Sequence, residues 1–232
     1  MTVWPSGTLM DRLAVDVGAE LLALAPARMR RPGDVLIHQG VPDGGHVFVL
    51  RAPADGRTAL VKVTATMESG DDVLLGIRVS GDMVGELALL RGTPRSATVM
   101  LCSEALVHAI PPGVFSEFVK RRPAVWAAVA QMIADRLDWA NRRRLDMATL
   151  SVTGRVAQVL TDLVDRHGFE APGGFDVGVS LTQAELGRLV GAREDAVNKA
   201  MRLLRAKGLA DTRYRRVTVH DLQGLRDFSL IS

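Results

Sequence analysis

Hydrophobic residues between positions 29 and 112 form short runs separated by turns. The runs are about five residues long and recur at roughly ten-residue intervals, which predicts an antiparallel β-sandwich or β-barrel. The predicted strands cover residues 35–37, 46–50, 59–63 and 73–77. The predicted turns, rich in proline, glycine and aspartate, cover residues 32–34, 42–45, 53–56 and 80–82. An amphipathic segment at residues 9–25 predicts a leading helix.

The pattern changes at Pro123, which opens a stretch without further glycine or proline before Gly154. Proline at a first helical position predicts a helix over residues 123–150. Its apolar stripe, with steps of three and four, comprises Val129, Met132, Ile133, Leu137, Trp139 and Ala140. Because a domain of this size does not cover so long a stripe, we expect pairing with a second copy and hence a homodimer. The alternative is packing against the chain's own β domain.

Shorter elements follow the long helix. They are a helix to about residue 167, a loop over 168–178, helices over 183–190 and 193–207, a basic hairpin over 209–219 and a short helix over 221–228. Two short helices joined by the tight link Gly191-Ala192 and followed by a basic hairpin form the pattern of a winged helix-turn-helix. The predicted domains are therefore residues 1–122, 123–150 and 151–232.

The helix-turn-helix segment carries side chains suited to DNA. Thr182 stands at an N-cap position with Glu185 three residues later, which is a capping box. On the second helix, arginine and lysine can read guanine, asparagine can read adenine, and a carboxylate accepts from the amino group of cytosine. A solvated charged helix is the alternative. The predicted DNA contacts are Thr182, Gln183, Arg193, Glu194, Asp195, Asn198, Lys199 and Arg202, with Arg213 and Arg215 in the hairpin. In a dimer these contacts imply a near-palindromic double-stranded operator.

The segment from Gly85 to Val99 combines a carboxylate and a guanidinium with glycines and a hydroxyl. Arginine presents a planar fork of donors that matches phosphate oxygens, so Arg95 with Ser96 suits a phosphate. Glu86 is an acceptor that suits a sugar hydroxyl. Backbone N–H groups around Gly85-Glu86-Leu87 and Arg95-Ser96 add further donors. This set of groups predicts a site for a nucleotide phosphate and its ribose, and a surface salt bridge is the alternative.

Composition narrows the classes of function. Hydrophobic residues make up 47% and charged residues 24% of the chain, which is ordinary for a globular protein. The single cysteine excludes a disulfide framework and an all-cysteine metal or iron–sulfur site within one chain. Neither a spanning segment nor a signal peptide is predicted, so the cytoplasm is the expected location. No nucleophile–base signature, metal cluster or Walker loop indicates an enzyme.

Two blocks of sequence resemble the Crp/Fnr family, the cAMP receptor protein family of bacterial transcription regulators. The first comprises residues 33–40 and the 85–99 segment, which is similar to the phosphate-binding cassette of cyclic-nucleotide-binding domains. The second comprises residues 152–157 and 181–204. The resemblance implies an α+β fold with an N-terminal β-roll (a double-stranded β-helix or jelly roll), a long dimerisation helix and a C-terminal winged helix-turn-helix.

The resemblance also assigns roles to residues. Glu86 would hold the ribose 2′-hydroxyl, Arg95 and Ser96 would hold the cyclic phosphate, and Gly85 would allow a close backbone approach. The implied ligand is a cyclic nucleotide, with cAMP favoured by the family. RNA polymerase is an implied partner.

The sequence departs from the family pattern at three places. A Thr-Ser pair that reaches the adenine in cAMP-responsive members is replaced here by Ala140 and Asn141. Asn141 can still pair with a base edge, so we predict it as a ligand residue, but the identity of the base stays open. In the reading helix, Glu194 replaces the usual arginine, which predicts a target other than TGTGA. The N-terminal cysteine cluster of the oxygen-sensing members is absent.

These observations predict a ligand-modulated, sequence-specific DNA-binding transcription regulator. In this interpretation, a cyclic nucleotide shifts the dimer helix and thereby the spacing of the two reading helices. Two alternatives stay open. In the first, the pocket is vestigial and the chain binds DNA without a ligand. In the second, the chain is a sensor module whose helix-turn-helix mediates protein contacts.

Overall fold

The computed structural model describes residues 4–42, 45–53 and 58–231. The predicted turns over residues 42–45 and 53–56 lie partly outside the described residues. The chain divides into two compact units, Met1–Leu137 and Asp138–Ser232. A helix that is continuous over Pro123–Thr149 begins in the first unit and ends in the second.

The first unit is a β-roll of two four-stranded antiparallel sheets. Its helices are α1 (Val15–Ala23), α2 (Glu86–Arg91), α3 (Pro112–Arg121) and the first part of α4 (Pro123–Thr149). Its strands are β1 (Ala27–Arg30), β2 (Val35–Ile37), β3 (Val47–Arg51), β4 (Leu60–Thr66), β5 (Asp72–Val79), β6 (Met83–Val84), β7 (Thr98–Leu101) and β8 (Ala105–Ile110). The strand orders are β1-β8-β3-β6 and β2-β7-β4-β5. The leading helix is shorter than predicted.

Alternation along β3 shows how the sequence builds two apolar cores. Val47 and Val49 point to a core shared with the helices of the unit, whereas Leu50 belongs to a second core between the sheets. Successive side chains of a strand point to opposite faces of a sheet. The strand is therefore buried on both sides, which explains its nearly continuous apolar sequence.

The apolar stripe of α4 has two environments. Val125, Val129 and Met132 are buried in the first unit's own core, whereas Leu137 and Leu145 are 59% and 64% exposed. The prediction that the whole stripe faces a second copy is therefore wrong for its N-terminal part. Those residues cover the face of the β1-β8-β3-β6 sheet, a packing that periodicity alone does not distinguish from dimer contact.

The second unit contains the predicted winged helix-turn-helix. Its elements are the end of α4, α5 (Val152–His167), β9 (Phe169–Ala171), β10 (Gly174–Asp176), α6 (Gln183–Val190), α7 (Glu194–Ala206), β11 (Ala210–Arg213), β12 (Arg216–Val219) and α8 (Leu222–Ile231). The predicted loop over residues 168–178 is partly wrong, because β9 and β10 pair there and extend the hairpin into a sheet of order β11-β12-β10-β9. The predicted helices and hairpin are confirmed.

A buried cluster fastens the end of α4 to α5 within this unit. Arg143 is 6% exposed. It pairs with Asp162, lies 3.4 Å from a carboxylate oxygen of Asp146 and stacks over Trp139 at 4.9 Å. Trp139 Nε1 donates to Asp162 at 3.1 Å. Burial raises the pKa of the Asp146 carboxyl above its usual value. Arg143 is therefore buried between the exposed residues Arg142 and Arg144.

Candidate nucleotide pocket and DNA-reading surface

Arg95 lies in a cradle formed by two glycines. Its Nη1 donates to the Gly85 carbonyl at 2.7 Å and its Nη2 donates to the His46 carbonyl at 2.8 Å. A Cβ at Gly85 would lie 2.7 Å from Nη1, and a Cβ at Gly45 would lie 2.3 Å from Nη2. Only glycine therefore leaves room for the guanidinium at both positions. Gly85 also has φ +91°, a conformation that glycine adopts without strain.

The backbone of Arg95 is anchored as firmly as its side chain. Its N–H donates to the Val41 carbonyl at 3.0 Å, and its carbonyl accepts from Gly40 N–H at 2.8 Å. The residue is 6% exposed. Guanidinium carries five N–H donors, of which the two carbonyls use two. The remaining donors have a fixed orientation, which is the arrangement that favours an anion.

Glu86 is the buried carboxylate of the site. It opens α2 directly after Gly85 and is 3% exposed. Its Oε1 accepts from Arg136 Nη1 at 2.7 Å. In the described part of the chain, no hydrogen bond is made to the second oxygen of this carboxylate. That oxygen is an acceptor suited to a sugar hydroxyl.

Arg136 is a residue of this site that the sequence reasoning missed. Besides Glu86, its guanidinium donates to Asp82 Oδ1 at 3.2 Å and to the Met83 carbonyl at 2.8 Å. It therefore ties α4 to β6, α2 and the turn before β6. The available signal was an arginine between Ile133 and Leu137 on an otherwise apolar stripe. A charge at such a position predicts a buried partner.

The other predicted ligand residues differ in their placement. Ser96 follows Arg95 and is exposed, so its hydroxyl is accessible, and Leu87 is 40% exposed on α2. Five of the six predicted ligand residues therefore belong to the first unit: Gly85, Glu86, Leu87, Arg95 and Ser96. Asn141 belongs to the second unit, where it is exposed on α4. Its role toward the base stays a prediction.

The helix-turn-helix begins with the predicted capping box. Thr182 Oγ1 accepts from Glu185 N–H at 3.1 Å, and Glu185 Oε2 accepts from Thr182 N–H at 2.9 Å. Gln183 Nε2 approaches Thr212 Oγ1 of β11 at 3.5 Å. Thr182 and Gln183 are half-buried. The capping box fixes the start of α6, and Gln183 faces the hairpin.

The predicted reading face of α7 is open. Arg193 is its N-cap. Asn198 is half-buried, and the exposed members of the set are Arg193, Glu194, Asp195, Lys199 and Arg202. The opposite face is buried through Val197, Ala200, Met201 and Leu204. Within the described residues, no hydrogen bond or ion pair engages the side chains of this polar set. They are free to meet base edges.

The hairpin β11–β12 carries the remaining predicted contacts. Arg213 is 76% exposed in its side chain, and its Nε lies 3.4 Å from Asp211 Oδ2. Arg215 is exposed at the tip. Together with α7 these arginines give the second unit a cationic surface, which suits the phosphate backbone of DNA.

Both halves of the chain match known families. Residues 28–122 match the cyclic nucleotide-binding domain, and residues 154–228 match the Crp-like helix-turn-helix domain. The cAMP-activated global transcriptional regulator Vfr of Pseudomonas aeruginosa is 31% identical over 157 residues, which cover 66% of this chain and 72% of Vfr. The chain belongs to the Crp/Fnr family. It is a ligand-modulated DNA-binding transcription regulator.

Other members show the same relation. The CRP-like cAMP-activated global transcriptional regulator of Mycobacterium tuberculosis is 29% identical over 198 residues, covering 83% of this chain and 86% of the relative. The c-di-GMP responsive global regulator CLP of Xanthomonas campestris has a similar fold, with a TM-score of 0.74, 21% identity and coverage of 90% of this chain and all of that chain. This last likeness concerns the fold alone.

The described residues contain no group of three or more histidine, cysteine, aspartate or glutamate side chains that could hold a metal ion. They also contain no helix long and apolar enough to cross a membrane.

The buried Glu86–Arg136 pair predicts a specific stability defect. Replacing Arg136 with Met should lower the free energy of unfolding of the first unit by about 3 kcal/mol, because Glu86 then keeps a buried charge without its partner. Urea denaturation followed by far-UV circular dichroism measures the loss. Arg144→Met, at an exposed position of the same helix, is the matched control and should change stability little.

The double variant Arg136→Met with Glu86→Gln separates the ion pair from simple packing. It should regain part of the lost stability, because both partners are then neutral. A double variant as unstable as the sum of the two single variants would show that the pair has no coupling energy.

Proposed function

We propose that this chain is a homodimeric regulator whose DNA binding responds to a cyclic nucleotide bound by Arg95, Ser96 and Glu86. The observation that carries the proposal is the glycine cradle, which buries Arg95 and holds its guanidinium against the carbonyl of Gly85, the residue directly before Glu86. A nucleotide supplies a cyclic phosphate, a ribose hydroxyl and a base. The residues present fit the first two of these groups.

In this proposal, each residue of the cassette has one task. The Arg95 N–H groups that do not meet carbonyls bind the exocyclic oxygens of the phosphate, with the exposed Ser96 hydroxyl as a neighbouring donor. The Glu86 oxygen that Arg136 leaves open accepts from the ribose 2′-hydroxyl. Arg136 holds the carboxylate in position. Leu87, half-exposed on α2, closes the apolar edge of the site.

We assign selection of the base to Asn141. Its amide carries both donors and acceptors, which suit a base edge. Relatives named as cAMP-activated favour cAMP, whereas a similar fold belongs to a c-di-GMP responsive regulator. Both compounds therefore belong in a test of the ligand.

We assign the dimer contact to the exposed part of α4. Leu137, Asn141 and Leu145 stand at steps of four and so share one face of the helix. Leu137 and Leu145 are more than half exposed in the single chain, and exposed apolar side chains that share one face form the kind of patch that marks a protein contact. In a dimer the same face would bury both leucines and set Asn141 against the partner. We also propose RNA polymerase as a partner and the cytoplasm as the location, because both fit the proposed role in transcription.

One observation favours a variant of this function in which the pocket is vestigial. Arg95 already donates to two carbonyls, and Glu86 already accepts from Arg136. Side chains that already make hydrogen bonds within the chain gain less from a ligand than unbonded ones. In that variant the chain binds its operator equally well with and without nucleotide.

Arg95→Leu should weaken cyclic nucleotide binding by about 100-fold or more, because charged hydrogen bonds to the phosphate are lost. Isothermal titration calorimetry with cAMP, cGMP and c-di-GMP measures this loss for the wild type and the variant. Arg91→Leu, at the exposed end of α2, is the control and should bind as the wild type does.

Arg95→Lys covers the possibility that the leucine variant does not fold, since lysine keeps the charge but not the fork. It should fold and still bind at least tenfold more weakly. A folded Arg95 variant with wild-type affinity would contradict the assignment of the pocket.

Lys199→Ala should relax the preference for one base pair in each half-site by about 1–3 kcal/mol, because Lys199 stands on the open face of α7. Selection from randomised duplexes followed by sequencing gives the base preferences of the wild type and the variant. Arg205→Ala, exposed in the last turn of the same helix, should change only the dependence on salt. Identical preferences for wild type and Lys199→Ala would show that α7 does not read bases there.

A further inference from the structure

The tip of the hairpin β11–β12 has an unusual backbone. Arg213 pairs with Arg216 across the strands, so Tyr214 and Arg215 alone form the turn. Their φ angles are +49° and +65°. Positive φ at both central positions is the pattern of a type I′ turn, for which Asn-Gly is the favoured sequence. Over the described residues, these two are the only ones other than glycine with positive φ.

This strained turn is held in place by contacts with the segment that leads into α6. The Arg215 carbonyl accepts from Leu181 N–H at 2.9 Å and from Ser180 Oγ at 3.4 Å. One residue later, Arg216 Nε donates to the buried Asp176 at 2.8 Å. Leu181 directly precedes the Thr182 cap. The turn therefore has a fixed position relative to the start of the helix-turn-helix, and its strain is stored in an ordered element.

The same turn exposes an aromatic ring among cations. Tyr214 is the only tyrosine of the chain and is 99% exposed, so its ring contributes nothing to the packing of this unit. Arg213 and Arg216 face the carboxylates of Asp211 and Asp176, whereas Arg215 pairs with no carboxylate of the described residues. The side chains of Tyr214 and Arg215 therefore do not stabilise this unit. Both residues nevertheless adopt positive φ angles, which are unfavourable for residues other than glycine.

We infer that Tyr214 and Arg215 form a second DNA-reading element, which enters the minor groove beside each half-site. The inference rests on the proposed function, in which α7 lies in the major groove. A narrow A·T minor groove has an enhanced negative potential that attracts an inserted arginine. An exposed ring beside that arginine packs against the sugars that wall the groove. The tip thus adds a preference for A·T pairs outside the bases that α7 reads.

The double variant Tyr214→Asn with Arg215→Gly tests this inference without damage to the fold. It installs the favoured type I′ pair, so the melting temperature should rise. Affinity for an operator with A·T flanks should fall by about tenfold, while the base preferences inside the half-site stay unchanged. Tyr214→Phe keeps the ring and should retain most of the affinity.

Three duplexes with the same half-sites and different flanks give the decisive comparison by fluorescence anisotropy. The flanks are A·T, G·C or I·C pairs, and inosine removes the guanine amino group from the minor groove only. The wild type should bind the A·T and I·C duplexes more tightly than the G·C duplex, and the double variant should bind all three alike.

Two results would overturn the inference. One is a double variant that keeps the wild-type discrimination between flanks. The other is a wild type that binds all three duplexes alike, together with a double variant that loses the same amount of affinity for each. The tip would then contact only phosphates. If the wild type bound no duplex with sequence preference, the proposed function itself would fail, and the inference would fall with it.

Discussion

The ion pair between Glu86 and Arg136 is the interaction on which the first unit depends. It joins a carboxylate of the segment over residues 85–99 to a long helix, deep enough that Glu86 is 3% exposed. Arg136 also holds Asp82 and the Met83 carbonyl. In the proposed function, a ligand that engages Glu86 therefore acts directly on a contact of α4. It shifts the packing of that helix only as far as its affinity differs between two packings.

The buried cluster around Arg143 plays the corresponding part in the second unit. Its contacts with Asp162 and Trp139 fasten the last turns of α4 to α5, the first helix of the helix-turn-helix domain. Within α4, Arg136 thus makes ion pairs in the first unit and Arg143 makes them in the second.

Much of the site could be predicted from the sequence because its chemistry restricts residue types. Glycine at 85, arginine at 95 and glutamate at 86 each satisfy a demand that few other residues meet. The capping box at Thr182 and the hairpin after α7 were predictable for the same reason. Arg136 was not predicted, since hydrophobic periodicity ranks positions by apolarity and gives a charge within an apolar stripe no role. Its partners lie about fifty positions earlier in the chain.

The errors in the predicted fold have a similar physical origin. Val129 and Met132 belong to a stripe that suits either a partner helix or the chain's own sheet, and only tertiary packing decides between them. The short strands β9 and β10 are stabilised by pairing with β12 rather than by their own sequence. The strained turn at Tyr214 and Arg215 contradicts the usual turn rules, so sequence reasoning treated it as an ordinary basic tip.

In the proposed function, the nucleotide pocket and the DNA-reading surface are coupled. Fluorescence anisotropy with a labelled operator, at nucleotide concentrations from zero to saturation, measures the coupling, and calorimetry with and without operator measures the reciprocal effect. We expect nucleotide to change operator affinity by about 5- to 150-fold and operator to change nucleotide affinity by the same factor. Operator affinity that stays constant while nucleotide saturates the pocket would contradict this coupling.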